Sequence, residues 1–198
     1  MTEQQNKKTD SKRIWTVPNV LTMLRMALIP VYWYLMSQGR MIPALITYAA
    51  ASLTDLADGY IARKYNLITD FGKLMDPLAD KLMVLSVMLS MILPMGGRQA
   101  ILPWWPFFVV LAKEGLMVLG GIFMYKKGIV VYSKVIGKAA QTVMVCSLLC
   151  AFFYEYFDGI GAPVYLWLLY AAVALTVSAL VFYAKEAVEK LSALKTGK

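Results

Sequence analysis

Six apolar stretches divide this chain, at roughly 18–38, 41–65, 72–94, 103–125, 132–154 and 163–184. Each is about 20 residues or longer, enough for a helix to cross a ~30 Å hydrocarbon core. The breaks between them carry turn chemistry: Ser37-Gln38-Gly39-Arg40, Gly96-Gly97-Arg98, Lys126-Lys127-Gly128 and Asp158-Gly159-Ile160-Gly161. Pro18 and Pro103 suit the first turn of a helix, where a missing N–H is not needed. Residues 1–13 are polar, with Lys7, Lys8, Lys12 and Arg13, and have none of the order of a signal peptide. Ile14, Trp15 and Val17 then start an apolar face suited to a short segment lying on an anionic leaflet. No internal repeat or low-complexity linker is visible. The pattern predicts an all-α integral membrane protein: a bundle of six transmembrane helices with a short N-terminal interfacial segment. Its parts are a basic arm at 1–17, one six-helix transmembrane domain at 18–184 and a basic cytoplasmic tail at 185–198.

Composition strengthens that picture. Hydrophobic residues make up 60% of the chain and charged residues 16%, against ~45–50% and ~25% for a soluble domain. The absence of histidine excludes a Ser-His-Asp triad and a His-ligated metal. Two cysteines, Cys146 and Cys150, make neither a disulfide framework nor a four-thiolate zinc site. Four apart, they share a helix face as small packing residues. Lys and Arg outnumber Asp and Glu by 20 to 12, a net charge of +8, which we assign to the membrane surface and not to nucleic acid. With the N-terminus inside, the inner segments hold Lys7, Lys8, Lys12, Arg13, Arg63, Lys64, Lys73, Lys126, Lys127, Lys134 and the C-terminal lysines. The outer turns hold only Arg40 and Arg98. This asymmetry predicts a multi-pass protein with both termini cytoplasmic. Trp104, Trp105, Tyr154, Tyr156, Tyr165 and Trp167 fall near the outer ends, as an aromatic belt does.

Four carboxylates interrupt the second and third stretches: Asp55, Asp58, Asp76 and Asp80. Such groups are costly in a membrane helix and normally line a cavity or pair with cations. Asp55, Asp58 and Ala62 share one helix face, and Gly72, Asp76 and Asp80 share a face of the next. The short link around 65–71 makes the two helices antiparallel neighbours, so the acidic pairs can meet near the cytoplasmic ends. Converging oxygens without His or Cys select Mg²⁺, Mn²⁺ or Ca²⁺. Two such ions would offset the repulsion and clamp an in-line phosphoryl displacement. Gly59 and Gly72 admit a bulky ligand, and Arg63 is a suitable fork for phosphate. A structural ion site or a proton path is the plainer alternative.

The string Asp55-x2-Asp58-Gly59-x2-Ala62-Arg63-x8-Gly72-x3-Asp76-x3-Asp80 resembles the defining motif of the CDP-alcohol phosphatidyltransferases at all eight constrained positions over 26 residues. The resemblance extends to the opening Pro18-Asn19-x2-Thr22-x2-Arg25 and to the count of helices. It implies a homodimer in the bacterial plasma membrane whose active site opens to the cytoplasm. It implies that Asp55, Asp58, Asp76 and Asp80 bind two divalent cations, Mg²⁺ or Mn²⁺. Gly59, Ala62, Arg63 and Gly72 would hold the donor, CDP-diacylglycerol, and Asp80 would be the base that takes the acceptor's proton. The donor's acyl tails can stay among membrane lipid while its pyrophosphate lies at the carboxylates.

The acceptor is read from cations. Asn19, Thr22 and Arg25 run along one helical face, Lys134 and Lys138 are four apart, and Lys113-Glu114 interrupts the fourth stretch. These are the candidate acceptor contacts, with membrane anchoring for Lys134 and Lys138 and a packing ion pair for Lys113-Glu114 as alternatives. Family members that use glycerol 3-phosphate have the same opening, but also Arg-Glu in the fourth helix followed by an arginine seven residues on. Here Lys113-Glu114 and Gly121 stand instead. The run Ser133–Lys138 keeps the Gly-Lys pair and also resembles members that use phosphatidylglycerol. Glycerol 3-phosphate is the first expectation, phosphatidylglycerol the second, and inositol phosphate or another alcohol the third. A transporter with intramembrane aspartates and a non-catalytic scaffold are the competing classes. The glycine spacing and Arg63 argue against a proton relay, which needs neither.

Overall fold

The computed structural model describes residues 16–65, 69–126 and 135–195. Among them are seven helices: α1 (Val17–Ser37), α2 (Met41–Lys64), α3 (Asp70–Ile92), α4 (Trp105–Lys126), α5 (Val135–Ala151), α6 (Tyr154–Gly159) and α7 (Val164–Lys195). No strand occurs among the described residues. α1 and α7 are long and apolar enough to cross a bilayer by length and composition alone. The others with the length to do so, α2, α3 and α4, carry the charged residues noted above.

The chain forms two compact units, residues 1–100 and 101–198. In the first, α1 packs along both α2 and α3, which touch each other far less. Tyr32, Met36, Ala44, Tyr48, Ala51, Ala79, Val87, Met88 and Met91 fill this core. Small residues on α2 let α1 approach closely, as helix packing in membranes favours. Gly39 (φ +69°) ends the α1 turn, its N–H donating to the Met36 carbonyl at 3.0 Å. Gly96 (φ +60°) lies directly against it: a Cβ on Gly96 would stand 2.5 Å from the Met36 carbonyl oxygen and 2.6 Å from the Gly39 Cα. At the same end, Arg98 Nη2 donates to the Ser90 carbonyl at 2.7 Å, and Ser90 Oγ lies 2.6 Å from the buried Tyr32 hydroxyl.

In the second unit α7 lies along α5 and, less extensively, α4. Ala140, Met144, Leu148, Leu169, Ala172 and Ala179 form the seam. The buried Ser147 hydroxyl donates across it to the Tyr165 carbonyl at 2.8 Å. Trp105 stacks on Tyr170 at 5.7 Å, and Tyr165 donates to Asp158 at 3.0 Å. In both units large apolar side chains face outward, among them Ile46, Leu53, Leu119, Trp167 and Val181, each more than half exposed. That much outward apolar surface suits lipid better than water.

Several boundaries depart from expectation. α3 starts at Asp70 because the Thr69 hydroxyl accepts from the Gly72 N–H at 2.9 Å and caps it. α4 starts at Trp105, so Pro106, not Pro103, occupies the first turn. α5 ends at Ala151, three residues before the expected 154, and the short α6 occupies Tyr154–Gly159, where a turn into the sixth stretch was expected. α7 runs to Lys195, well into the expected tail. From Lys185 to Lys195 the sequence has no Gly or Pro, and the Glu186–Lys190 pair, 2.9 Å apart at i,i+4, supports the helix. Residues 1–15 of the expected arm at 1–17, 66–68 of the link between α2 and α3, the turn at 127–134 and the last three residues of the expected tail lie outside the described residues.

Candidate active site

The site is built where the N-terminal half of α1 meets the C-terminal half of α2 and the first turns of α3. Thr16 caps α1 with Pro18 in the first turn, so Asn19, Thr22 and Arg25 fall on one face, three residues apart. All three are almost completely buried, each 1% exposed. Asn19 Oδ1 accepts from the Thr69 hydroxyl at 2.9 Å, tying the start of α1 to the cap of α3. The Thr22 hydroxyl donates to Asp76 Oδ1, with the Pro18 carbonyl oxygen 3.1 Å away. Arg25 Nη1 lies 2.9 Å from Asp55 Oδ1. Residues on α1 thus hold a carboxylate of α2 and a carboxylate of α3.

Gly72 sits inside this arrangement. A Cβ there would meet Asn19 Oδ1 at 2.8 Å, Thr69 Oγ1 at 3.1 Å and Asp76 Oδ2 at 3.5 Å. The absent side chain leaves the room that α1 occupies. Asp80 lies one turn beyond Asp76 and is partly buried. Asp58 follows Asp55 by three on α2, and Gly59, Ala62 and Arg63 continue that helix, but the side chains of Asp58, Ala62 and Arg63 and the surroundings of Gly59 are not among those described.

The acceptor candidates separate. Asn19, Thr22 and Arg25, read as acceptor contacts, lie against the acidic helices, hydrogen-bonded to Thr69 and Asp76 and ion-paired with Asp55. Lys113 Nζ lies 2.5 Å from Glu114 Oε1, with both side chains mostly buried, which is the ion-pair alternative. Lys138 is exposed on α5, and Lys134 is outside the described residues. Sequence reasoning missed Thr69, although a threonine directly before Asp-Phe-Gly carries the signature of a helix cap.

Among the described residues, no group of three ligating side chains lies close enough to hold a metal ion. The Asp58 carboxylate, one of the four expected ligands, is not among the side chains described. In chemical type the set fits hard divalent cations: oxygens only, with Asp55 and Asp76 each oriented by a donor from α1.

Comparison with known proteins places these residues in a wider group. The model of the CDP-alcohol phosphatidyltransferase family matches residues 15–180. A CDP-diacylglycerol–glycerol-3-phosphate 3-phosphatidyltransferase of Bacillus subtilis is 32% identical over 154 residues, 69% of this chain and 77% of the relative. One so named from Rickettsia bellii is 47% identical over 105 residues, 51% of this chain and 55% of the relative. A cardiolipin synthase (CMP-forming) of Streptomyces coelicolor is 35% identical over 130 residues, 61% of this chain and 57% of the relative. The chain therefore spans little more than half the length of the Rickettsia and Streptomyces relatives.

Proposed function

The chain belongs to the CDP-alcohol phosphatidyltransferase family, and we propose that it transfers the phosphatidyl group of CDP-diacylglycerol to the hydroxyl of glycerol 3-phosphate. The acceptor oxygen forms a bond to the lipid-side phosphorus, the phosphorus–oxygen bond to CMP breaks, and CMP leaves. Asp80 takes the hydroxyl proton. The observation that carries this reading is the convergence of Asp55 and Asp76, from two helices, on one buried face of α1, within a complete family motif. Gly59, Ala62, Arg63 and Gly72 bind the donor. Asp55, Asp58, Asp76 and Asp80 hold two divalent cations, Mg²⁺ or Mn²⁺, which when bound neutralise charge on the transferring phosphate.

The setting we propose is the bacterial plasma membrane. Six helices cross it, both termini and the site face the cytoplasm, and the protein is a homodimer. The catalytic domain covers 18–184, with the arm at 1–17 and the tail from 185. Lys134 and Lys138 are the proposed contacts for the acceptor phosphate. Arg25, paired with Asp55, and Lys113, paired with Glu114, are less suited to it.

Phosphatidylglycerol is the second reading for the acceptor. It is favoured by Gly121 standing where glycerol-3-phosphate users have an arginine, and by the likeness to the Streptomyces protein. The test is lipid product analysis with labelled CDP-diacylglycerol and Mg²⁺ or Mn²⁺, with each acceptor supplied in turn. The expected result is phosphatidylglycerophosphate and CMP from glycerol 3-phosphate, with turnover lost by orders of magnitude in Asp76→Asn. Product from phosphatidylglycerol alone moves the assignment to cardiolipin synthesis, and full turnover in Asp76→Asn overturns the catalytic reading.

A further inference from the structure

We propose that Thr22 and Arg25 are positioning residues that set the spacing of the Asp55 and Asp76 carboxylates. This rests on the catalytic reading above and goes beyond it, because it moves two residues from the acceptor site to the support of the metal site.

The two aspartates belong to different helices that touch each other little, whereas α1 packs on both. Thr22 and Arg25 are three residues apart on α1 and so point from one face one turn apart. Thr22 donates to Asp76 of α3, and Arg25 reaches Asp55 of α2 at 2.9 Å. Both are 1% exposed, so neither has a face left for a soluble acceptor. Asp55 keeps 38% of its side chain accessible, and each pinned carboxylate was contacted through Oδ1. The contact therefore orients the group and leaves its second oxygen for a ligand. A carboxylate that must find its rotamer on binding loses affinity relative to one already held. Partners of this kind are worth about tenfold to a hundredfold in metal affinity.

The two residues call for different substitutions. Thr22→Val is close to isosteric and removes only the hydroxyl, and Thr22→Ser restores it. Removing the charge of Arg25 would itself alter attraction for a cation, so Arg25→Lys, which keeps the charge and loses the planar reach, isolates geometry. The probe is Mn²⁺ alone, titrated into the full-length protein in detergent and read by the loss of the free-ion electron paramagnetic resonance signal. Thermal unfolding is recorded in parallel.

We expect Thr22→Val and Arg25→Lys to weaken Mn²⁺ binding by about tenfold or more, with Thr22→Ser near the parent. Apparent KM for glycerol 3-phosphate, measured at saturating metal, stays near the parent value. Unchanged Mn²⁺ affinity in Thr22→Val overturns the proposal, whether the variant loses only thermal stability or shows a raised acceptor KM. If Arg25→Lys does not fold, the Thr22→Val and Thr22→Ser pair decides alone. A parent protein that neither binds Mn²⁺ nor releases CMP overturns the catalytic reading itself, an outcome seen without any variant.

Discussion

Replacing Gly72 by alanine adds one methyl group at the tightest point of the α1–α3 contact. That methyl would stand 2.8 Å from Asn19 Oδ1 and 3.1 Å from Thr69 Oγ1, closer than carbon and oxygen normally approach. Asp76 Oδ2, at 3.5 Å, is in ordinary contact and need not move. The two crowded atoms are hydrogen-bonded to each other at 2.9 Å and almost fully buried, so neither swings away freely. Thr69 also caps α3 through the Gly72 N–H. Losing the Asn19–Thr69 bond is worth about 1 kcal/mol, and weakening the cap about 1 more. The sum, about 2 kcal/mol, lies inside the about 1–3 kcal/mol usual for an overpacked core. The assay is unfolding of purified protein in detergent, run as a cycle with Asn19→Ala, which removes the atom at 2.8 Å. The alanine at 72 should then destabilise less in the Asn19→Ala background than in the parent, a coupling that neighbouring residues show. A Gly72→Ala protein as stable as the parent, or strict additivity in the cycle, refutes the packing argument. Stability unchanged with weakened CDP-diacylglycerol binding would leave Gly72 a donor-site residue only.

Three further outcomes test the scaffold around the site. Gly96→Ala places a Cβ against backbone atoms of Met36 and Gly39 at a left-handed φ, so it should lose more than the about 1–2 kcal/mol of that conformation alone. Gly97→Ala, also left-handed but facing open space, should lose only that penalty, and equal thermal shifts for the pair would count against the Gly39–Gly96 contact. Ser147→Ala removes the bond from α5 to the Tyr165 carbonyl and should lower stability by about 0.5–1.5 kcal/mol in thermal unfolding. Gly121→Ala has no neighbour within 4 Å of the new methyl and should raise helix stability by about 0.5–1 kcal/mol, whereas a loss would reveal a surface packed against α4 there.

The helices were legible because each is a long apolar run closed by turn residues, and the six long ones fall near their expected places. Their ends were less legible for specific reasons. Thr69 recruits Asp70 and Phe71 into α3 by capping it, and the Glu186–Lys190 pair extends α7 through residues that look like a solvated tail. α6 was missed because Tyr154–Gly159 is one and a half turns, too short for a periodic signal. The aspartates stood out because a carboxylate in an apolar helix is expensive. Their partners did not: Arg25 is 30 residues from Asp55, and Thr22 is 54 from Asp76. Those pairings are tertiary facts that spacing along one helix does not encode. The face shared by Asn19, Thr22 and Arg25 was readable, but what it faced was not. Lys113-Glu114 admitted two readings from sequence, and the 2.5 Å contact between them gives weight to the pairing.

The burial of Arg25 links assembly of the first unit to formation of the site. A guanidinium 1% exposed inside an apolar helix pair is strongly unfavourable unless a negative group meets it. Asp55 supplies that charge at 2.9 Å, so α1 docks on α2 favourably only in the register that brings the two together. Thr22, one turn earlier, then falls opposite Asp76, and Asn19, a turn before that, opposite Thr69. A slip of α1 by one residue would rotate all three from their partners by about 100°. The Arg25–Asp55 ion pair thus selects the register, and two hydrogen bonds, one to the Asp76 carboxylate and one between neutral groups, bring α3 into it. Correct packing of α1 and correct aim of the carboxylates are the same event, which explains why polar residues occupy a face that apolar side chains would pack more cheaply.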